Sequence, residues 1–279
     1  MFNKVNPVVD PSSRNKNFAT GFTTGSGIAP CAIMGHMAVF SVYKKAGEGL
    51  NELLLRVRSE KELSSDELLT YAGRLDPLAE GVVVILSGED RFEKEKYTSL
   101  DKEYEIDVLF GIETDTLDPL GLVTSSKVML VDERDISSTL KNLKEITSWK
   151  YPKFSSKTFE GKPLFVRTRS GEETPDLFKE GRVYETTFLE MSTITTSDLL
   201  DEVKEKIQRV SGDFRQVAVR QSWEEALSNI DTKKFSMAKI KVVASSGIYM
   251  RELARLLGER LGTHAIAFHI KRTRVGGYR

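Results

Sequence analysis

What this sequence lacks excludes several protein classes. Its 279 residues include one cysteine, Cys31, so an internal disulfide is impossible and a cysteine-based zinc site is ruled out. That usage makes a reducing, cytoplasmic setting the default expectation. No apolar run approaches the roughly 18 residues that a membrane-crossing helix needs. No internal repeat is visible. Formal net charge is zero, from 41 basic and 41 acidic side chains, so the chain as a whole offers no field of one sign. The balance is uneven, however. Residues 233–279 carry 11 Lys or Arg against two Glu, a net +9, which leaves −9 for the remainder. Two readings of that tail stay open: a basic face that meets phosphates through its local field, or a solvated helix face with a chance excess of cations.

What is present is globular material, 39% apolar and 29% charged, enough for one large core or two modest ones. Residues 1–36 stand apart. Ser, Thr, Asn and Gly dominate there without hydrophobic periodicity, which predicts disorder or a loosely attached arm. A true start at Met37 and an organellar transit segment are the alternatives. The remaining residues, 37–279, are expected to form one catalytic domain. Patterning predicts strands near 39–43, 82–86, 104–110, 120–124, 184–191 and 238–245, and helices near 50–58, 132–145, 197–211 and 249–261. In the helix 197–211, Leu199, Leu200, Val203, Ile207 and Val210 recur at helical spacing behind Ser197 as the expected cap. Leu253, Leu257 and Leu261 mark the last helix, which Gly262 ends. Strands outnumber helices and simple βαβ units are few. The fold class is therefore α+β, with a mixed, mainly antiparallel sheet.

The most informative segment runs Tyr71-Ala72-Gly73-Arg74-Leu75-Asp76-Pro77-Leu78-Ala79-Glu80-Gly81. Proline fixes its own backbone angle and pushes Asp76 out of helical geometry. The run Val82–Leu86 follows at once and reads as a buried strand. A stiff loop on a core strand is a good mount for one catalytic carboxylate; an Asp-Pro turn that merely opens a strand is the plain alternative.

The segment resembles the catalytic loop of the TruB family of tRNA pseudouridine synthases, G-x-L-D-P-x-A-x-G, at Gly73, Leu75, Asp76, Pro77, Ala79 and Gly81. Four further blocks match in the family's order. Lys44-Lys45-Ala46-Gly47 is similar to K-P-x-G, with Lys45 where proline is usual. Lys102-Glu103-Tyr104, then Gly111 to Asp118 and Gly121, resembles K-x-Y and G-x-x-T-D-T-x-D-x-x-G. Pro152 to Ser156, with Gly161, Lys162, Leu164, Arg169 and Gly171, looks like the family's RNA-gripping insertion, here at about 150–172. Ser245-Ser246-Gly247-Ile248-Tyr249-Met250-Arg251-Glu252-Leu253 and Ile270-Lys271-Arg272-Thr273 resemble S-x-G-x-Y-I-R-x-L and L-R-R-T. The likeness is weakest over 175–240, where Gly212 to Gln216 and Trp223 look like a signature of shorter bacterial members.

The resemblance implies the pseudouridine synthase fold, a long sheet flanked by helices with the active cleft across its middle. It implies a cofactor-free, metal-free isomerase in which Asp76 is the nucleophile, or the base acting on the sugar. Arg251 is expected to pair with Asp76, holding it ionised and oriented. Tyr104 would stack on the uracil and assist proton removal from C5, and Tyr249 would line the pocket. Ile270 stands where a leucine packs against the base, and serves equally well as plain core. Tyr71 replaces a histidine frequent in the family, keeping a flat ring. Arg74 replaces a small residue and reaches either a phosphate or solvent. In the insertion, Lys153, Lys157, Lys162, Arg167 and Arg169 alternate with Tyr151, Phe154, Phe159 and Phe165, a mix suited to looped RNA. Many family members carry a further small RNA-binding domain after the R-T segment. The expectation here is the short form without it.

The function expected is conversion of uridine to pseudouridine, at position 55 in the T loop of tRNA, by a monomer that grips the T arm. The alternatives are a tRNA-folding helper without chemistry and a synthase for another RNA. A glycosidase fares worst, because it calls for paired carboxylates and no matching motif ties a second acid to Asp76.

Overall fold

The computed structural model describes residues 39–230 and 234–279; the expectations for residues 1–36 and Cys31 lie outside them. The elements, in chain order, are β1 (Val39–Lys44), α1 (Leu50–Glu60), β2 (Leu69–Ala72), β3 (Glu80–Ser87), α2 (Lys94–Thr98), β4 (Lys102–Phe110), β5 (Ile112–Thr114), β6 (Val123–Ser126), α3 (Glu133–Leu143), β7 (Ser148–Lys150), β8 (Thr158–Phe159), β9 (Lys162–Pro163), α4 (Leu164–Arg169), β10 (Phe178–Glu180), β11 (Val183–Thr195), α5 (Thr196–Arg209), α6 (Gln216–Ser228), β12 (Lys234–Ala244), α7 (Met250–Arg260) and β13 (Ala265–Val275).

Seven strands form the main sheet in the order β1-β3-β13-β4-β12-β11, with β2 on β3. Every pairing is antiparallel except β13 on β3, which is parallel over two residue pairs. The α+β expectation holds. Alternation along β4, β12 and β13 sends side chains to both faces. On one face Ile106, Val108, Ile240, Val242 and Ala267 pack against Leu53 and Val57 of α1, Ile136 and Leu140 of α3, and Leu253 and Leu257 of α7. On the other, Leu109, Phe235, Ile266 and Phe268 pack against Leu199, Val203 and Ile207 of α5 and Val219, Trp223 and Leu227 of α6. Helices therefore cover both faces, and the sheet's middle strands are buried on both sides.

Two expected features move, and two elements are new. The strand near 120–124 begins at Val123, because residues 118–121 close a turn in which Gly121 N donates to the Asp118 carbonyl at 3.2 Å. The cap of α5 is Thr195, not Ser197: β11 runs on to Thr195, whose Oγ1 accepts from Asp198 N at 3.1 Å. The central strand β13 and the helix α6 were not expected from the patterning. In β13 the period of two is broken by irregularities between Ala267 and His269 and between Arg272 and Arg274. The first keeps Ala267 and Ile270, three residues apart, on the same core face, and so turns Ile270 toward the α7 side.

The contact between β3 and β13 requires glycine at 81. Its φ is +116°, and a Cβ there would overlap the Arg272 carbonyl. Gly81→Ala is expected to cost at least about 2 kcal/mol, read as a lowered denaturant midpoint with an unchanged m value.

Candidate active site

The Asp76 loop joins β2 to β3. Gly73 and Gly81 bound it at φ +82° and +116°, and Leu75, Leu78 and Ala79 anchor it in the interior. Ala79 N donates to the Asp76 carbonyl at 3.1 Å, closing the turn over Pro77. Two fully buried cations hold its backbone. Lys44 Nζ, at the end of β1, donates to the carbonyls of Lys45, Asp76, Pro77 and Ala79 at 3.1, 3.3, 3.1 and 2.7 Å. Arg272, on β13, donates from Nε to Val82 O at 2.7 Å, from Nη1 to Arg74 O at 3.2 Å and from Nη2 to Gly73 O at 3.1 Å. Gly47 N adds a bond to Pro77 O at 2.9 Å. The loop's carbonyls are thus taken up by cations, and the Asp76 side chain, 32% exposed, lines the cleft. Burial pulls the Lys44 ammonium down to about 8, against the fields of Glu48, Asp76 and Glu80.

Arg251, in the first turn of α7 and 2% exposed, meets that carboxylate with two parallel bonds. Nε donates to one oxygen at 2.8 Å and Nη2 to the other at 3.0 Å. This is the fork geometry that orients a carboxylate. The remaining capacity goes to Thr116 O at 2.7 Å and Phe154 O at 3.1 Å. A second carboxylate, Asp118, lies 3.7 Å from Arg251 Nε. Asp118 is buried; it accepts from Thr116 Oγ1 at 2.6 Å and Leu120 N at 2.9 Å. Burial pushes it up to about 6, with Asp76 adding to the rise and Arg251 and Thr116 opposing it. The sequence reading found no acid tied to Asp76; the structure ties Asp118 to it through the shared guanidinium. Leu117, between these groups, sits at φ +62°, a left-handed residue of the kind that clusters at functional sites.

These groups line a cavity of about 720 Å³, within the range of small-ligand sites. Tyr104 on β4, Tyr249 ahead of α7, Ile270 and Arg272 on β13, Tyr71 on β2 and Arg74 all reach it. Among the sheet's strands, β1, β2, β4 and β13 contribute to its lining, so it reaches the middle of the sheet at β13 and β4. Burial raises the Tyr104 phenol, with Arg272 opposing, so the hydroxyl stays protonated at neutral pH. Burial also raises Tyr249, aided by Asp76. Tyr249 meets Tyr151 edge-on at 5.8 Å, and the Arg251 guanidinium lies 5.9 Å from the Tyr249 ring centre. Lys94 Nζ stands 5.1 Å from the centre of the Tyr71 ring. Arg74 is exposed, and Ile270 is both core and cavity wall.

The insertion, stapled at its base by β7 pairing with β10, supplies Phe154, Ser155, Ser156, Phe165 and Arg169 to the same cavity. Of its five cations, three are paired with acids: Lys162 with Glu172, Arg167 with Glu160 at 3.2 Å, and Arg169 with Asp213. Lys153 and Lys157 are exposed. The turn after α5 forms the opposite wall. There Arg215, at φ +61°, donates to both oxygens of Asp115 at 2.7 and 3.2 Å and lies 4.6 Å from the Phe154 ring centre. Among the described residues, no group of three or more His, Cys, Asp or Glu is placed to hold a metal ion, and no helix is long and apolar enough to cross a membrane.

Residues 61–212 match the protein-family model of the TruB family pseudouridylate synthase N-terminal domain. The chain belongs to the TruB family. It is 29% identical over 238 residues to tRNA pseudouridine synthase B of Borreliella burgdorferi, covering 85% of this chain and 69% of that one. It is 28% identical over 208 residues to the protein of the same name from Treponema pallidum, covering 75% and 52%. For that of Cronobacter sakazakii the figures are 26% over 235 residues, 84% and 60%. The chain thus spans between about half and two thirds of the length of these relatives. Among solved structures, the crystal structure of a Cbf5-Nop10-Gar1 complex contains a chain that superposes with a TM-score of 0.51 at 15% identity, over 86% of this chain and 49% of that one. That likeness concerns the fold alone.

The sequence-predicted set comes together in one cleft. Sequence reasoning missed the contacts made by Lys44, Arg272, Lys102 and Asp118. All four lie inside quoted blocks, but nothing in a linear pattern shows that a lysine's partners are carbonyls 30 residues away.

Two predictions follow from this geometry. Lys44→Met and Arg272→Met should each lower kcat for pseudouridine formation by about 10²-fold, because the carboxylate loses its fixed position, while KM moves by less than about 3-fold; steady-state kinetics with melting curves as control check this. The second concerns Asp118. Its folded pKa lies above its unfolded value, so the stability it contributes is fully present below about 3.8, the unfolded value, and is lost as pH rises through about 6. Relative to Asp118→Asn, the wild type should therefore gain about 1 kcal/mol between pH 7.5 and pH 5, measured by urea denaturation at both.

Proposed function

We propose that this protein isomerises uridine to pseudouridine in tRNA, at position 55 of the T loop. The observation that carries the reading is the carboxylate of Asp76, held by both oxygens on the buried Arg251 and presented to a cleft of nucleotide size. The names of the relatives support tRNA as the substrate. The reaction needs no redox step. The N1–C1′ bond of the target uridine breaks, the uracil turns, C5 bonds to C1′, and the C5 proton moves to nitrogen, so substrate and product have the same composition.

Asp76 acts on the ribose, as nucleophile at C1′ or as base on the sugar. Arg251 fixes its direction of approach. The base must leave its stack to reach a carboxylate this deep. Tyr104 and Ile270 offer flat and aliphatic surfaces to receive it. Because the Tyr104 phenol remains protonated, it suits stacking and relay of the C5 proton better than direct abstraction. Tyr71 and the Lys94 ammonium over its ring offer a face for a base next to the target. Phe154, Phe165 and the exposed Lys153 and Lys157 suit a folded RNA loop. The protein is expected to act as a monomer in the cytoplasm and to bind the T arm.

The deciding variant is Asp76→Asn, which keeps the shape and removes the charge. Pseudouridine mapped at single-nucleotide resolution in an unmodified tRNA should appear at position 55 with wild type, and fall more than about 10³-fold with the variant, while RNA affinity stays within about 3-fold. Normal conversion by the variant would sink the assignment. Modification at another site would redirect it to another RNA. Absence of any modified base with wild type, alongside faster tRNA refolding, would favour the folding helper.

A further inference from the structure

One corner of the cleft is cationic and, Lys94 apart, has no role in the chemistry above. It is built from the end of α2, the residues leading into β4, Gly73 and Arg74 of the Asp76 loop, and the turn Ser246–Gly247. At its base is Lys102, 4% exposed. The ammonium donates to the carbonyls of Thr98 and Leu100, which uses two of its three hydrogens. Gly73 borders it closely: a Cβ there would be in van der Waals contact with Arg272 Nη1 at 3.6 Å and Lys102 Cε at 3.8 Å. Lys179 Nζ lies directly over Gly247, close enough that a Cβ on Gly247 would overlap it. Ser246 Oγ donates to Thr98 O at 2.6 Å, joining the two backbone segments of the corner. At the rim are the exposed Lys94 and Arg74.

The charges that act on Lys102 are unbalanced. Arg272 and Lys179 repel it, and Asp101 is the acid that opposes them. Together with burial they pull Lys102 down to about 8. A buried cation among like charges is costly unless an anion completes the set. Lysine ammoniums are compact point charges that suit a phosphate. A nucleotide everted toward Asp76 carries a phosphodiester on each side of its ribose, a short distance from the reacting carbon.

We propose that Lys102 and Lys179, with Lys94 and Arg74 at the rim, form a seat for one RNA backbone phosphodiester adjacent to the target nucleotide. The seat holds the ribose over Asp76 and carries no base information. This rests on the reading of the protein as an RNA-modifying enzyme.

The test is a methylphosphonate scan. A T-arm stem-loop is made with each linkage within three nucleotides of the target neutralised in turn, and its affinity is measured against wild type, Lys102→Met and Lys179→Ala. One linkage is expected to weaken wild-type binding about 10-fold when neutral. At that linkage alone, the effect should shrink to under 2-fold in Lys102→Met and in Lys179→Ala. The unmodified stem-loop should bind each variant about 10-fold less tightly, with the slope of log affinity against log salt reduced by about 0.7. The wild-type scan needs no variant, so it remains decisive if Lys102→Met folds poorly, and Lys179→Ala alters a half-buried residue that no core contact depends on. Equal sensitivity at all linkages, or no coupling to either lysine, overturns the proposal. Inorganic phosphate that competes at millimolar concentration without any sensitive linkage identifies a free-anion site and overturns the RNA assignment. The readout is binding, so conversion with an uncoupled scan refutes the seat alone, whereas coupling without conversion refutes the enzymatic reading alone.

Discussion

Arg251 is the side chain on which the site depends. One buried guanidinium joins three segments: the Asp76 loop before β3, the turn at Thr116–Asp118, and the start of the insertion at Phe154. Its first partner lies 175 residues earlier in the chain. A charge so buried is tolerable only with every partner in place, which makes the catalytic geometry a condition of folding well. Asp118, 3.7 Å from the same Nε that binds Asp76, adds a second negative charge beside the guanidinium.

The loop that carries Asp76 is shaped by electrostatics more than by packing. Its carbonyls are drawn outward by Lys44 on one flank and Arg272 on the other, two cations with carbonyls as hydrogen-bond partners. Backbone carbonyls can satisfy an ammonium without neutralising it. The lining of the cleft therefore keeps an excess of positive charge around the Asp76 carboxylate. That is a favourable environment for an anionic polymer, and it explains how a chain with zero net charge can offer one. The −9 and +9 halves of the sequence are thus no measure of the local field, because much of the insertion's basic content is cancelled by Glu160, Glu172 and Asp213.

Much of the fold was legible in the sequence. The continuous apolar run of β3, the alternating strands β4 and β12, and helices with an uninterrupted apolar stripe, α5 and α7, fall where the pattern puts them. β13 does not, because its two bulges break the period and because His269, Lys271, Arg272 and Arg274 make it read as a polar tail. α6 carried a signal in Val219, Trp223 and Leu227, spaced by four. The members of the site were legible as motif positions, and the pairing of Asp76 with Arg251 was anticipated. What a linear pattern did not reveal is which charged side chains are buried and what they touch: Lys44 and Arg272 as supports for a loop, and Asp118 behind Arg251.

The position of β13 has a consequence for how the molecule comes into being. It is the strand farthest along the chain, yet it lies between β3 and β4, and it brings Arg272 to the Asp76 loop. While the polypeptide is still emerging from a ribosome, the sheet is two unjoined halves, and the carboxylate has neither its guanidinium on α7 nor the floor of its cleft. The site therefore assembles only when β13 threads the gap and zips the two halves together. Such long-range closure is slow compared with local folding, so the cleft is among the last parts of this domain to form.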